Sequence, residues 1–167
     1  MKKIISLVML AVALNGFSAV IQEETMELGL QGQLTFDNYK GKTDFSIYPS
    51  LGYFIMDNIQ VGGLMGVIYD GHDMGFRLGG FGEINFDTYT AFMPYLAVRL
   101  MYDFGSLYKD NYLLIDGAAG MKFFVSPTLA IAAELYYDLA SEDVFADNHD
   151  GARNHNAGMR LGLRHYF

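Results

Sequence analysis

The chain has 167 residues, 51% of them hydrophobic and 15% aromatic, with no cysteine and a formal net charge of −8. That length suits one domain; the missing cysteines exclude a disulfide framework, and so acidic a chain presents no basic face for nucleic acid. Beyond the N-terminal segment no apolar run reaches the roughly 18–20 residues of a membrane-spanning helix, so the apolar residues must be housed by another kind of element.

Met1, Lys2 and Lys3 open the chain with positive charge, Ile4 to Leu14 form an apolar run of about eleven residues, and Gly16, Ser18 and Ala19 are small. This order predicts an export signal over residues 1–19, cleaved after Ser18 or Ala19 and too short to span a bilayer. Setting aside Lys2 and Lys3 leaves nine basic against 19 acidic residues, a charge of −10 on residues 20–167.

The remainder divides into eight segments that alternate apolar and polar, separated by turn signals. The first, residues 25–36, sets Met26, Leu28, Leu30, Leu34 and Phe36 against Glu27, Gln31, Gln33 and Thr35. The second, 43–55, sets Phe45, Ile47, Pro49, Leu51, Tyr53 and Ile55 against Ser46, Tyr48, Ser50 and Gly52. The third, 59–69, alternates least clearly, because Leu64 and Ile68 fall on the face opposite Ile59, Val61, Met65, Val67 and Tyr69. The fourth, 76–86, opposes Phe76, Leu78, Ile84 and Phe86 to Arg77, Glu83 and Asn85; the fifth, 92–104, opposes Pro94, Leu96, Val98, Leu100 and Tyr102 to Tyr95, Arg99 and Asp103. In the sixth, 112–124, Leu113, Ile115, Met121 and Phe123 face away from Asp116 and Lys122. In the seventh, 129–139, Leu129, Ile131, Ala133, Leu135, Tyr137 and Leu139 face away from Glu134, Tyr136 and Asp138. The eighth, 157–167, separates Ala157, Met159, Leu161, Leu163, His165 and Phe167 from Arg160, Arg164 and Tyr166.

Short turns at 56–58, 87–90 and 125–128 alternate with longer polar connections at 37–42, 70–75, 105–111 and 140–154. Besides Asp44 near the start of the second segment, eleven charges fall within the segments: Glu27, Arg77, Glu83, Arg99, Asp103, Asp116, Lys122, Glu134, Asp138, Arg160 and Arg164. All lie on the face opposite the apolar set. Five segments carry two charges each and keep them on one parity, which chance alone would give about once in 32 for a period-two element. The physical reason is cost: a Lys or Arg facing hydrocarbon at mid-membrane costs about 2–4 kcal/mol, whereas an interior charge can be paired. The reading is therefore an all-β, eight-stranded antiparallel up-and-down barrel that crosses a membrane, with lipid-facing apolar residues and an ion-pair network filling the lumen. Counting from the short turns puts Glu27, Glu83, Lys122 and Arg164 at one level and Arg99, Glu134 and Arg160 at the next, with Arg77, Asp103, Asp116 and Asp138 farthest out. Arg164 is expected near Glu27, and Arg160 near Glu134. Small lumen positions such as Gly29, Gly52, Gly66, Gly120 and Gly158 leave room for the long side chains. Aromatics gather at both strand ends, Tyr53, Phe86, Phe92, Phe123 and Phe167 at one and Phe36, Phe45, Tyr69, Phe76, Tyr102, Phe104 and Tyr137 at the other, as interfacial girdles do. A water-soluble barrel would instead bury its apolar face and carry no inward charge ladder.

Pro49-Ser50-Leu51-Gly52-Tyr53-Phe54 before Asp57-Asn58, Ala119-Gly120-Met121-Lys122-Phe123-Phe124 before Ser126-Pro127, and the terminal Phe167 carry a resemblance. With the export signal they make the chain resemble the small outer-membrane barrels, the OmpA-like barrel domain and especially OmpX-type proteins. The resemblance implies that Leu161, Leu163 and Phe167 form a signal read by the barrel-assembly machinery, with His165 departing from the usual apolar residue. It implies a monomer in the bacterial outer membrane among lipid and lipopolysaccharide. Because the sequence ends at Phe167, a wall-anchoring role of the OmpA kind is not expected.

Other chemistry is weighed against this. Ser141 and His155, with Glu142 close in sequence, offer a nucleophile and base for attack on a lipid ester, but no lipase motif surrounds them. The acidic stretch 142–150 and the group Asp70, His72 and Asp73 offer oxygen and nitrogen ligands without the spacing of a recognised cation loop. No catalytic residue, metal or cofactor is expected. A structural or surface-interaction role comes first, a narrow channel or path for small hydrophobic molecules second, and a lipid-modifying enzyme third.

Overall fold

A strand turns period-two alternation into two faces, and a closed sheet turns those faces into an outside and an inside. The computed structural model describes residues 21–37, 42–146 and 152–167, with the side chains of 34–44 and 146–152 excepted. The export segment 1–19 lies outside the described residues, as does the Phe36 side chain. The strands are β1 (Met26–Asp37), β2 (Lys42–Met56), β3 (Ile59–Tyr69), β4 (Met74–Asn85), β5 (Phe92–Gly105), β6 (Tyr112–Ser126), β7 (Leu129–Ala140), β8 (Phe145–Ala146), β9 (Ala152–Arg153) and β10 (His155–Tyr166). Eight of them close an antiparallel barrel in the order β1-β10-β7-β6-β5-β4-β3-β2. The two-residue strands β8 and β9 pair with each other in the last long connection, an addition that no alternation pattern announced. β4 begins two residues earlier than the sequence reading placed it, at Met74, and stops at Asn85, before Phe86. β10 likewise starts at His155.

The outward apolar residues remain in contact with the surroundings: Val98 is 62% exposed, Leu135 66% and Met159 61%. This continuous apolar exterior is what a barrel presents to hydrocarbon. No helix among the described residues is long and apolar enough to cross a membrane. Leu64 and Ile68 of β3 turn inward and are buried, which explains the blurred alternation of that strand: part of the lumen wall is itself apolar.

The short turns sit together at one end. Asn58 takes φ of 63° in the β2–β3 turn, behind a register shift between Phe54 and Met56, and a matching shift between Phe124 and Ser126 precedes β7. In the β4–β5 turn the Asp87 carboxylate accepts the backbone N–H of Tyr89 at 2.7 Å, an Asx turn. Across this end lies a stopper. Ile21 is 5% exposed, packed with Phe54, Met93, Phe124, Ala130 and Tyr166. Three bonds strap its segment down: Glu24 N to Phe54 O at 2.9 Å, Asn58 N to Ile21 O at 3.1 Å, and Glu23 N to Asp57 Oδ1 at 3.0 Å.

At the opposite end Leu64, Met101, Tyr112, Leu114 and Ala140 form a second apolar cluster, onto which Tyr108, Val144 and Phe145 fold from the long loops. Tyr108 lies over Gly75, where an added Cβ would meet its ring at 2.8 Å. Burial, and then the nearby Asp103 carboxylate, push the Tyr108 phenol above its usual pKa.

The wall is not uniform. Neighbouring strands share nine to twelve paired positions everywhere except between β1 and β10. There the ladder covers six, from Glu27↔Tyr166 to Gly32↔Leu161.

Candidate functional site

Each of the eleven charged side chains is on the inward parity of its strand, and none is more than 7% exposed. Burial of so many ions is tolerated only when each is paired and hydrogen-bonded, and the lumen does this in three tiers.

Nearest the stopper, the Lys122 ammonium from β6 lies 2.6 Å from Glu83 and 2.9 Å from Glu27. Arg164 reaches the other oxygen of Glu27 at 2.9 Å. Gln60 of β3 donates to both carboxylates, at 2.7 Å to Glu83 and 3.2 Å to Glu27. In the middle tier Arg99 contacts Asp116 and Glu134, each at 2.6 Å. Arg160 contacts Asp116 at 2.7 Å, Glu134 at 3.2 Å and Asp138 at 3.3 Å. The Tyr95 hydroxyl donates to Glu134 at 2.8 Å. In the outer tier Arg77 grips Asp103 with two bonds of 2.7 and 2.6 Å, the fork geometry that makes such pairs strong. Tyr112 donates to the same carboxylate at 2.8 Å.

Aromatic rings join the tiers. Lys122 lies 5.3 Å from the Tyr95 ring and 5.5 Å from that of Tyr166. Arg160 stacks 3.7 Å from the Tyr136 ring, and Arg77 lies 5.2 Å from Tyr48. Glycine makes the space. A Cβ on Gly29 would come within 2.5 Å of Arg164 Nη1, and one on Gly120 within 2.4 Å of the Tyr95 ring.

The levels differ at two positions from a count along the strands. Asp116 and Asp138 belong to the middle tier, since Asp116 sits directly opposite Arg99 in the β5–β6 ladder and Asp138 sits opposite Asp116 in the β6–β7 ladder, bound by Arg160. Strands in a barrel are tilted, so equal distances from the turns are not equal heights. The sequence reading assigned no partner role to Gln60, Tyr95, Tyr112 or Tyr136. Their inward parity was visible, yet an uncharged polar residue carries no sign that says which ion it will meet.

Ser141 and His155 do not form a dyad. Ser141 Oγ accepts the backbone N–H of Leu113 at 3.1 Å, while the His155 ring stacks on Tyr137 with centroids 6.1 Å apart. Glu142 and Asp143 are exposed, and residues 147–150 of that acidic stretch lie outside the described residues. The Asp70 carboxylate accepts the backbone N–H groups of His72 and Asp73 at 3.0 and 2.8 Å, the geometry of a turn. Among the described residues no group of three or more His, Cys, Asp or Glu is placed to hold a metal ion. Leu161, Leu163 and Phe167 line the outer face of β10 and its end, with exposures of 55%, 49% and 62%. His165 shares that face and stacks on Phe167 at 5.9 Å.

No protein-family model matches the sequence, and no curated protein matches it either. Solved structures do match in shape. The N-terminal β-barrel domain of Pseudomonas aeruginosa OprF superposes with a TM-score of 0.66 at 15% identity, covering 88% of this chain and all of that one. Neisserial surface protein A gives 0.65 at 16% identity, covering 87% and 98%. A de novo designed transmembrane β-barrel gives 0.60 at 15% identity, covering 89% and 99%. The fold is that of the eight-stranded outer-membrane barrels.

Proposed function

We propose that the chain is an integral protein of the bacterial outer membrane, inserted as a monomer after removal of residues 1–19. Its role is to reinforce the envelope and to display its long loops at the cell surface. One observation carries this reading: three tiers of paired ions, each nearly devoid of solvent contact, occupy the only space through which a solute could pass along the axis of a barrel this narrow. Outer-membrane lipid and lipopolysaccharide surround the apolar wall, and the barrel-assembly machinery reads Leu161, Leu163 and Phe167 during insertion. Planar-bilayer recording from refolded protein tests the reading. Baseline current with rare, brief openings is expected; a steady ohmic conductance from every inserted molecule would replace it with the channel alternative. Lipid A mass profiles unchanged by Ser141→Ala are expected as well, and a shifted profile would revive the lipid-modifying alternative.

A further inference from the structure

The ion tiers do not balance alike. The inner tier sets Lys122 and Arg164 against Glu27 and Glu83, and the outer tier sets Arg77 against Asp103. Each is neutral. The middle tier sets Arg99 and Arg160 against three carboxylates, Asp116, Glu134 and Asp138. Among the described residues it therefore carries one negative charge in excess, on groups no more than 4% exposed. An uncompensated ion is very costly to bury, and a protein relieves the cost by neutralising a group.

The ladder shows where. Asp116 on β6 and Asp138 on β7 are direct partners, both on the inward parity, so their side chains start about 5 Å apart. Their carboxyl groups come within hydrogen-bonding reach of each other, and two carboxylates at that range repel unless a proton lies between them. Asp116 also faces Arg99 of β5 at 2.6 Å and Arg160 of β10 at 2.7 Å. Asp138 has a longer ion contact, 3.3 Å to Arg160, a guanidinium already shared with Asp116 and Glu134. Arg77 of β4 acts on Asp138 as well, but it is gripped by Asp103. Glu134, four positions back on β7, adds negative charge. Tyr136 and Tyr48 hold their rings against Arg160, and Asn156, the ladder partner of Asp138 on β10, is uncharged. Among these described neighbours none supplies the missing positive charge.

We infer that Asp116 and Asp138 form a proton-binding site: at neutral pH they hold one proton between them, which neutralises the middle tier and locks β6 to β7. The proton belongs to the pair rather than to either residue. Taking it away leaves two like charges in contact, so the tier loosens as the solution turns alkaline. The sign follows from linkage. Unfolded aspartates are ionised at neutral pH, so the folded chain holds one proton more than the unfolded chain, and this site's contribution to stability falls as pH rises.

Infrared spectroscopy of refolded protein in deuterated buffer at neutral pH tests this. A protonated carboxyl has a carbonyl stretch clear of the carboxylate and amide bands, and an intensity of one group per chain is expected. Asp138→Asn, whose amide can donate to Asp116 in place of the proton, is expected to keep the fold and lose that band. Between neutral and mildly alkaline pH, the folding equilibrium of the unaltered chain is expected to fall relative to that of the variant, by up to about tenfold per pH unit. Should Asp138→Asn fail to refold, carbon-13 labelling of aspartate carboxyls in the unaltered chain serves instead, and the band is expected to shift with the label. A spectrum without the band would mean that a cation balances the tier, and would overturn the site. A band indifferent to the substitution or to the label, or a variant whose stability follows pH in parallel with the unaltered chain, would overturn it too.

Discussion

Lys122 shows what a single residue must do in this lumen. Its ammonium lies between Glu27 and Glu83, and removing it leaves two carboxylates facing one another, with Arg164 and Gln60 left to offset them. Breaking a buried ion pair in this way costs about 3–5 kcal/mol. Lys122→Met is therefore expected to lower the urea midpoint of refolded protein by that equivalent, and adding Glu83→Gln to the same chain is expected to restore part of the loss. A double-mutant cycle measures the coupling directly. At Gly62 the limiting contact is with backbone: a Cβ there would stand 2.3 Å from the Leu51 carbonyl oxygen and 2.5 Å from the Phe81 ring. Such overpacking costs about 1–3 kcal/mol, so Gly62→Ala is expected to destabilise the barrel by a similar amount in the same urea titration.

At the scale of the strand, parity governs everything, and this is why so much of the architecture could be read in advance. A carboxylate such as Glu134 between Ala133 and Leu135 declares both its own face and that of its neighbours, so the strands could be located to within about two residues. β3 was the least legible because Leu64 and Ile68 line an apolar part of the lumen, where inward and outward residues look alike. The β8–β9 pair has two residues per strand, too few to show a period. The link from Lys122 on β6 to Glu27 on β1 crosses the lumen between strands that are not neighbours, so it depends on the barrel's cross-section and leaves no mark in local sequence. Parity also dictates the cost of a misplaced charge. Leu100, 57% exposed at mid-strand, faces hydrocarbon, and Leu100→Arg is expected to cost about 2–4 kcal/mol in vesicle-refolded protein. Tyr89→Arg, at a turn position 78% exposed, is expected to be almost silent. Equal effects at the two sites would mean that the apolar face does not lie in lipid.

For the molecule as a whole, closure joins the first strand to the last, Glu27 beside Tyr166. Pairing so distant in sequence forms late and cooperatively. The closed form is expected to resist detergent until boiled and to migrate on a gel apart from the heated chain. A chain whose unheated and heated forms co-migrate would lack that closure.

The strap that carries Ile21 knots both ends of the sheet to one rim: Ile21 packs on Tyr166, and Met26 and Phe167 exchange backbone bonds of 2.9 and 3.0 Å. Loosening one is expected to loosen the other. Ile21→Asp is expected to unfold at lower urea than the unaltered chain, and an unchanged midpoint would mean that the cork carries no load.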